Sequence, residues 1–437
     1  MAVLACLVSL FSCQKDESDN KQNSNTNTEN PYDSPTSVVN MIPDKIPIQL
    51  TENQKSYIQS ANDFTFNLFR KEFSTKENSL LSPLSAIYVL GMLNDGADGE
   101  TGREIMDVLG FNGAVKSDVN EFCANLIENA PMVDPNVQLN IANALFVNKH
   151  ISLLPDYTQH MRQYFRATAQ TLDFSDPSAV NIINKWCESQ TEGMIDNMLE
   201  KTTPDAVAYL LNAVFFKADW TDKFNPEHTK EGFFYKYDGT RQSIPMMTRK
   251  ANALYAKEEG FAALCLPYSS GAFNMYVLLP DEGVTVSDVI EGMTAELWEQ
   301  IKGKMSNQQK QEESNGNNHE VYYVTRIVDI QMPRFTYYCH NNLTQTLKEM
   351  GIKKAFTDEA EFPLISHNKL KVSLCLQDAK INVDEQGTKT STVTIAETLG
   401  GALPETIVPF HADRPFVYLI QENTSGAIFF VGTYMGD

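Results

Sequence analysis

Apolar residues recur at helical spacing through residues 58–69, from Ile58 to Phe69, which marks an amphipathic helix. Residues 82–93 are apolar all round, with Ser82 at the N-cap and Pro83 at the first helical position, the pattern of a buried helix. Residues 95–101 (Asp95, Gly96, Ala97, Asp98, Gly99, Glu100, Thr101) lack the ligand spacing and closing glutamate of a calcium loop and read as a plain turn. Strand-like runs follow at 139–147, 206–217, 262–266, 275–279, 321–332 and 371–383, with helical stretches between the earlier ones. Residues 306–320, rich in Gln, Asn, Ser and Glu, read as a solvated surface loop. Near the C-terminus, 415–420 and 427–431 are almost continuously apolar on either side of a polar turn, so both strands should be covered on two faces. The pattern predicts an α+β fold.

Composition narrows the function. Of 437 residues, 42% are hydrophobic and 21% charged, enough apolar side chain for a sizeable core. A net charge of −21 repels phosphate backbones, so no nucleic acid partner is expected. Residues 1–12 form an apolar stretch too short to span a bilayer and of the length of a signal-peptide core. Leu10-Phe11-Ser12-Cys13 resembles a lipobox in which Cys13 is lipidated, and the acidic run that follows resembles a surface-export signal of Gram-negative lipoproteins. Residues 13–45 then read as the lipidated cysteine and a flexible polar tether, and 46–437 as the folded domain. The expected location is the outer membrane, at the cell surface. Cys123, Cys187, Cys265, Cys339 and Cys375 show no metal-binding spacing and read as buried thiols, so neither metal nor cofactor is expected. No GxSxG, HExxH or Walker loop is present, which argues against an enzyme.

Taken in order, SPLSAIYVLGML with DGADGETGREI, then ANALFVNK, LLNAVFFKADW, PMM and PFVYLIQENTSGAIFFVGTYM resemble the segments of the serpin fold across nearly all of 50–437. The resemblance implies three β-sheets, about nine helices and an exposed reactive loop near the C-terminus that enters the largest sheet when cut. It implies an irreversible suicide inhibitor of serine or cysteine proteases, acting as a monomer and trapping the acyl-enzyme. The alternative is a non-inhibitory serpin that binds a ligand or acts as a chaperone. Ser82, Ser85, Asn212 and Gln377 match the family's polar cluster beneath the main sheet, with glutamine at 377 where histidine is common. Trp220, Arg334 and Glu385 match the region where the loop first enters, and Arg334 is expected to hold Glu385 bidentately.

The loop itself carries physical information. A segment that becomes a central strand must alternate, with small residues inward and no proline. Thr388, Thr390, Thr392, Thr394, Ala396 and Thr398 lie on one face, and every one is small. Six such residues in a row at period two arise by chance on the order of once in several thousand windows. Gly387 can take the hinge angles that bending requires. The hinge is therefore assigned to Glu385, Gly387, Thr388, Thr390 and Thr392. By the family's usual spacing from Glu385 the scissile bond is Gly401-Ala402, with Ala402-Leu403 as the fallback, and the small residues suit elastase-like enzymes. A cut one bond earlier would suit papain-like cysteine proteases.

Overall fold

The computed structural model describes residues 46–307, 311–315, 318–322, 326–387 and 407–436. Its helices are α1 (Glu52–Glu72), α2 (Pro83–Gly96), α3 (Gly99–Leu109), α4 (Lys116–Asn129), α5 (Pro155–Phe165), α6 (Ser178–Gln190), α7 (Val286–Gly292), α8 (Ala295–Asn307) and α9 (Thr344–Met350). Its strands are β1 (Ser79–Leu81), β2 (Gln138–Asn148), β3 (Thr168–Leu172), β4 (Ala208–Lys217), β5 (Lys230–Tyr235), β6 (Arg241–Glu258), β7 (Phe261–Tyr268), β8 (Phe273–Pro280), β9 (Gln311–Asn315), β10 (Asn318–Tyr322), β11 (Arg326–Pro333), β12 (Phe335–Asn342), β13 (Leu374–Val383), β14 (Val408–His411), β15 (Phe416–Glu422) and β16 (Ile428–Tyr434). The fold is α+β, with nine α-helices and three sheets among the described residues.

Local sequence explains the helices that matter most. Thr51 and Gln54 cap α1 reciprocally, and its apolar stripe, including Ile58, Phe64, Leu68 and Phe69, is buried. Every residue of α2 is buried, as its uninterrupted apolar sequence requires. Ser82 does not cap it by side chain: its hydroxyl lies 2.8 Å from the Ser85 hydroxyl and is spent there. The expected turn at 95–101 is instead a joint between two helices. α2 runs to Gly96, and α3 starts at Gly99 with Asp98 accepting from the Gly99 N–H, so only Ala97 and Asp98 lie outside. Residues 306–320 also depart from expectation. β9 and β10 pair antiparallel as a hairpin, which backbone hydrogen bonding provides without any apolar periodicity.

The larger sheet has nine strands in the order β1-β16-β15-β8-β7-β6-β11-β14, with β5 also paired to β6. The long β6 pairs in turn with β5, β11 and β7. The second sheet has five strands in the order β12-β13-β4-β2-β3. Alternation divides its central strands. Leu210, Val214 and Phe216 of β4 join the main core with α2, whereas Leu211 and Ala213 face a smaller core with Ile183 and Cys187 of α6. The C-terminal strands β15 and β16 are buried throughout and antiparallel, as their sequence predicts. Of the five cysteines among the described residues, four are buried and Cys339 is half-buried. Burial pushes the Cys187 and Cys375 thiols up to about 12, so they are inert.

Candidate functional site

The strand that precedes the loop, β13, belongs to the five-stranded sheet and not to the larger nine-stranded one, which corrects the expectation that the loop faces the largest sheet; the central feature of the five-stranded sheet is a seam between β4 and β13. These neighbours run parallel, in register from Tyr209 beside Leu374 to Phe215 beside Lys380. Their outer neighbours, β2 and β12, are antiparallel to them. A strand threaded through the seam from the end of β13 would be antiparallel to both sides.

The chain beyond β13 begins that course. Asp384 and Gly387 exchange two backbone hydrogen bonds, of 2.9 and 3.2 Å, reversing the chain about Glu385 and Gln386. Gly387 is bridged antiparallel to Asp384 on one side and to Asp219, just past β4, on the other. Its φ of 128° excludes ordinary side chains. A Cβ there would stand 2.5 Å from Trp220 N and 2.6 Å from Asp219 Cα, and closer still to Ala218 O. Gly387 thus lies between Asp384 and Asp219, at the end of the seam.

The segment after β4 fastens this turn. The Trp220 N–H donates to Gln386 O at 2.7 Å, its indole N–H donates to Asp384 O at 2.9 Å, and the Phe224 N–H donates to Glu385 O at 2.9 Å. Trp220 stacks on Tyr268 with ring centroids 4.3 Å apart. The buried Glu385 carboxylate accepts from the Thr229 hydroxyl at 2.7 Å and meets Arg334 Nη1 at 3.4 Å. Arg334 and Glu385 therefore come together, but by one long contact on the oxygen that Thr229 already uses, and the expected bidentate pair is not formed. Burial, reinforced by the Glu385 charge, raises the Asp384 pKa.

Beneath the seam lies a row of amides, one from each of four strands. Asn341 is level with Gln377, Gln377 with Asn212, and Asn212 with Asn143. Gln377 accepts from the Ser82 N–H and donates to the Ser82 carbonyl, both at 2.8 Å, and donates to Asn212 Oδ1 at 3.1 Å. Asn212 donates to Asn143 Oδ1 at 2.9 Å, and Asn341 donates to Leu80 O at 2.9 Å. Ser82, Ser85, Asn143, Asn212 and Gln377 are all buried. The structure thus brings the four expected residues together and adds Asn143 and Asn341. Asn143 interrupts the buried strand β2 between two alanines, a signal whose meaning depends on strand register.

On the opposite face, the buried Asp378 carboxylate accepts from Tyr338 at 2.6 Å and lies 2.7 Å from His340 Nδ1. That hydrogen bond is the main cause that raises the His340 pKa. The remaining expected residues, Thr388, Thr390, Thr392, Gly401, Ala402 and Cys13, lie outside the described residues. Among the described residues no group of three or more His, Cys, Asp and Glu could hold a metal, and no helix is long and apolar enough to cross a membrane.

Comparison with known proteins agrees with this geometry. The family model described as Serpin (serine protease inhibitor) matches residues 59–436. Glia-derived nexin of Rattus norvegicus is 30% identical, over 87% of this chain and 93% of its own. Among solved structures, the thermophilic serpin Tengpin in the native state superposes with a TM-score of 0.78 at 29% identity, covering 89% of this chain and 95% of that one. Human thyroxine-binding globulin complexed with its hormone gives 0.78 at 26% identity, covering 88% and 99%.

Proposed function

This chain belongs to the serpin family, whose members are typically protease inhibitors and not enzymes, and from that premise we propose that it is an inhibitory member that traps proteases irreversibly. The observation that carries the reading is the seam, two parallel neighbours with Gly387 already bridged antiparallel to both sides.

The mechanism follows from strand physics. Parallel ladders are slightly weaker per residue than antiparallel ones. Inserting 388–401 would replace one parallel ladder by two antiparallel ones and bury a face of threonine and alanine methyls. That gain is large beside typical stabilities of roughly 5 to 15 kcal/mol, so the uncut protein would be metastable. Uncut, the loop is tied at both ends, since β14 follows it in the other sheet. A protease that attacks Gly401-Ala402 forms an acyl-enzyme and frees one end. Insertion then carries the protease away and distorts its active site before deacylation. The amide row would be the catch, because its bonds between Gln377 and Asn212 must part for the strand to pass.

Small residues at the scissile bond support an elastase-like target, with a papain-like enzyme if the cut falls one bond earlier. The leader, the lipobox-like run and the polar tether support lipidation at Cys13 and display of the inhibitor, as a monomer, on the outer-membrane surface. The test is incubation with pancreatic elastase and papain followed by denaturing electrophoresis. A covalent complex supports the reading, whereas cleavage with no complex by both enzymes contradicts it.

The likeness to thyroxine-binding globulin favours a second reading, a serpin that carries a ligand. Heat separates the two. An inserting serpin becomes far more heat-resistant after loop cleavage, and a member that does not insert gains little.

A further inference from the structure

We infer that the cavity between the end of β5, the start of α7 and the link from β14 to β15 is a binding site for a small amphipathic anion, a flat ring system bearing one carboxylate or sulfonate. Such a site stands whether or not the loop inserts.

The cavity has a volume of about 800 Å³, within the range of roughly 300 to 1,000 Å³ that small-molecule sites occupy. Three segments converge on it: residues 235–237 after β5, residues 282–287 leading into α7, and residues 413–415 between β14 and β15, with the exposed Lys76 beside them. These segments are tied to their surroundings. The Tyr235 N–H donates to Asp413 O at 2.7 Å, and Arg414 Nε donates to Pro280 O at 2.9 Å, so the walls are built before any ligand arrives.

Two tyrosines supply the apolar wall. Tyr235 and Tyr237 leave 47% and 50% of their surface open and line the cavity together with Val284. Large rings left uncovered side by side mark a contact site, and their flat faces suit a planar guest. Charge decides the class of that guest. Lys76, Lys236 and Arg414 line the cavity against Glu282 and Asp413, three cations to two carboxylates, on a chain whose net charge is −21. Asp413 is already engaged, its Oδ1 accepting from Arg414 Nη1 at 3.0 Å. With the bond to Pro280 O, that contact fixes the guanidinium plane and leaves Nη2 without a partner among the described residues. The Lys76 ammonium likewise has no ion-pair partner among them. A fixed guanidinium and a neighbouring ammonium hold carboxylate or sulfonate oxygens through charge-assisted hydrogen bonds. An inorganic anion would leave the tyrosines uncovered, and an uncharged ring would leave the cations unused.

The experiment titrates the fluorescent aromatic sulfonate anilinonaphthalene sulfonate into the full chain, with its uncharged analogue phenylnaphthylamine alongside. Saturable binding of the dye is expected, displaced by naphthoate and not by inorganic sulfate at the same concentration. The uncharged analogue should bind about tenfold more weakly. A variant carrying Lys76→Glu and Tyr237→Ala changes two exposed positions, so it should keep the parent's melting temperature while binding the dye about tenfold more weakly. No dye binding by the parent overturns the site, and so does a variant that binds within twofold of it. Displacement by sulfate as effective as by naphthoate, or equal binding of the uncharged analogue, overturns the assigned class of ligand.

Discussion

Gln377 donates to Asn212 Oδ1 at 3.1 Å across the junction between β13 and β4. The same side chain grips both backbone polar groups of Ser82, at the start of α2, so it closes the sheet and fastens it to the helix beneath. Both roles fall on a residue that does not titrate near neutral pH.

Gln377→Ala should therefore destabilise the uncut protein by about 3 kcal/mol, because three hydrogen bonds vanish and the Ser82 N–H is left buried without its partner, while the Ser82 carbonyl keeps only the Ala86 N–H. A drop in the denaturant midpoint would show it. A change within a few tenths of a kcal/mol would mean that the row is ordinary packing.

His340, in β12 of this sheet, has its folded pKa raised above the ordinary 6.5, chiefly through its hydrogen bond to Asp378. A raised folded pKa stabilises the native state fully below the unfolded value and loses that contribution as pH rises through the folded value. The melting temperature of the parent minus that of His340→Gln should accordingly shrink from pH 6 upwards. An imidazole NMR titration of His340 should have its midpoint above 6.5, and a midpoint below that value would refute the pairing.

The Asp384-Gly387 bridge also sets a register for the inserted strand. If the ladder continues from it, Lys380 comes level with Ser391 and Gln377 with Thr394. Lys380→Cys with Ser391→Cys should thus form a disulfide readily after loop cleavage and poorly before it, since such bonds need Cα atoms within about 7 Å. Equal cross-linking of cut and uncut protein would contradict the register.

Much of this fold was legible because burial imposes period. The continuous apolar runs of β4, β15 and β16 could only be strands covered on both faces, and α2 could only be a buried helix. What escaped the sequence had no apolar signature. The β9–β10 hairpin is held by backbone bonds, and the helix joint at Ala97 and Asp98 hides among glycines and acids that elsewhere make turns. Within the site, Ser82, Ser85, Asn212, Gln377, Trp220 and Glu385 were identified by family resemblance. Asn143 and Asn341 were not, because an amide acquires its role only when strand register lines it up with others. The single Arg334 contact likewise depends on Thr229, a neighbour that no local pattern connects to Glu385.

The lipid anchor has a simple assay. Cys13→Ala should move the protein from the membrane to the soluble fraction on cell lysis. Continued partition with membranes would place the anchor elsewhere.

Insertion itself is tested most directly at Thr388, the first loop side chain that must turn inward after Gly387. Thr388→Arg would bury an unpaired guanidinium in the slot, at a cost of several kcal/mol, while the scissile bond, over ten residues on, would still fit a protease cleft. Mixed with a protease that the parent traps, the variant is predicted to give only cleaved serpin and active enzyme, where the parent gives a covalent complex that survives denaturing electrophoresis. A Thr388→Arg protein that forms as much complex as the parent would contradict loop insertion as the mechanism.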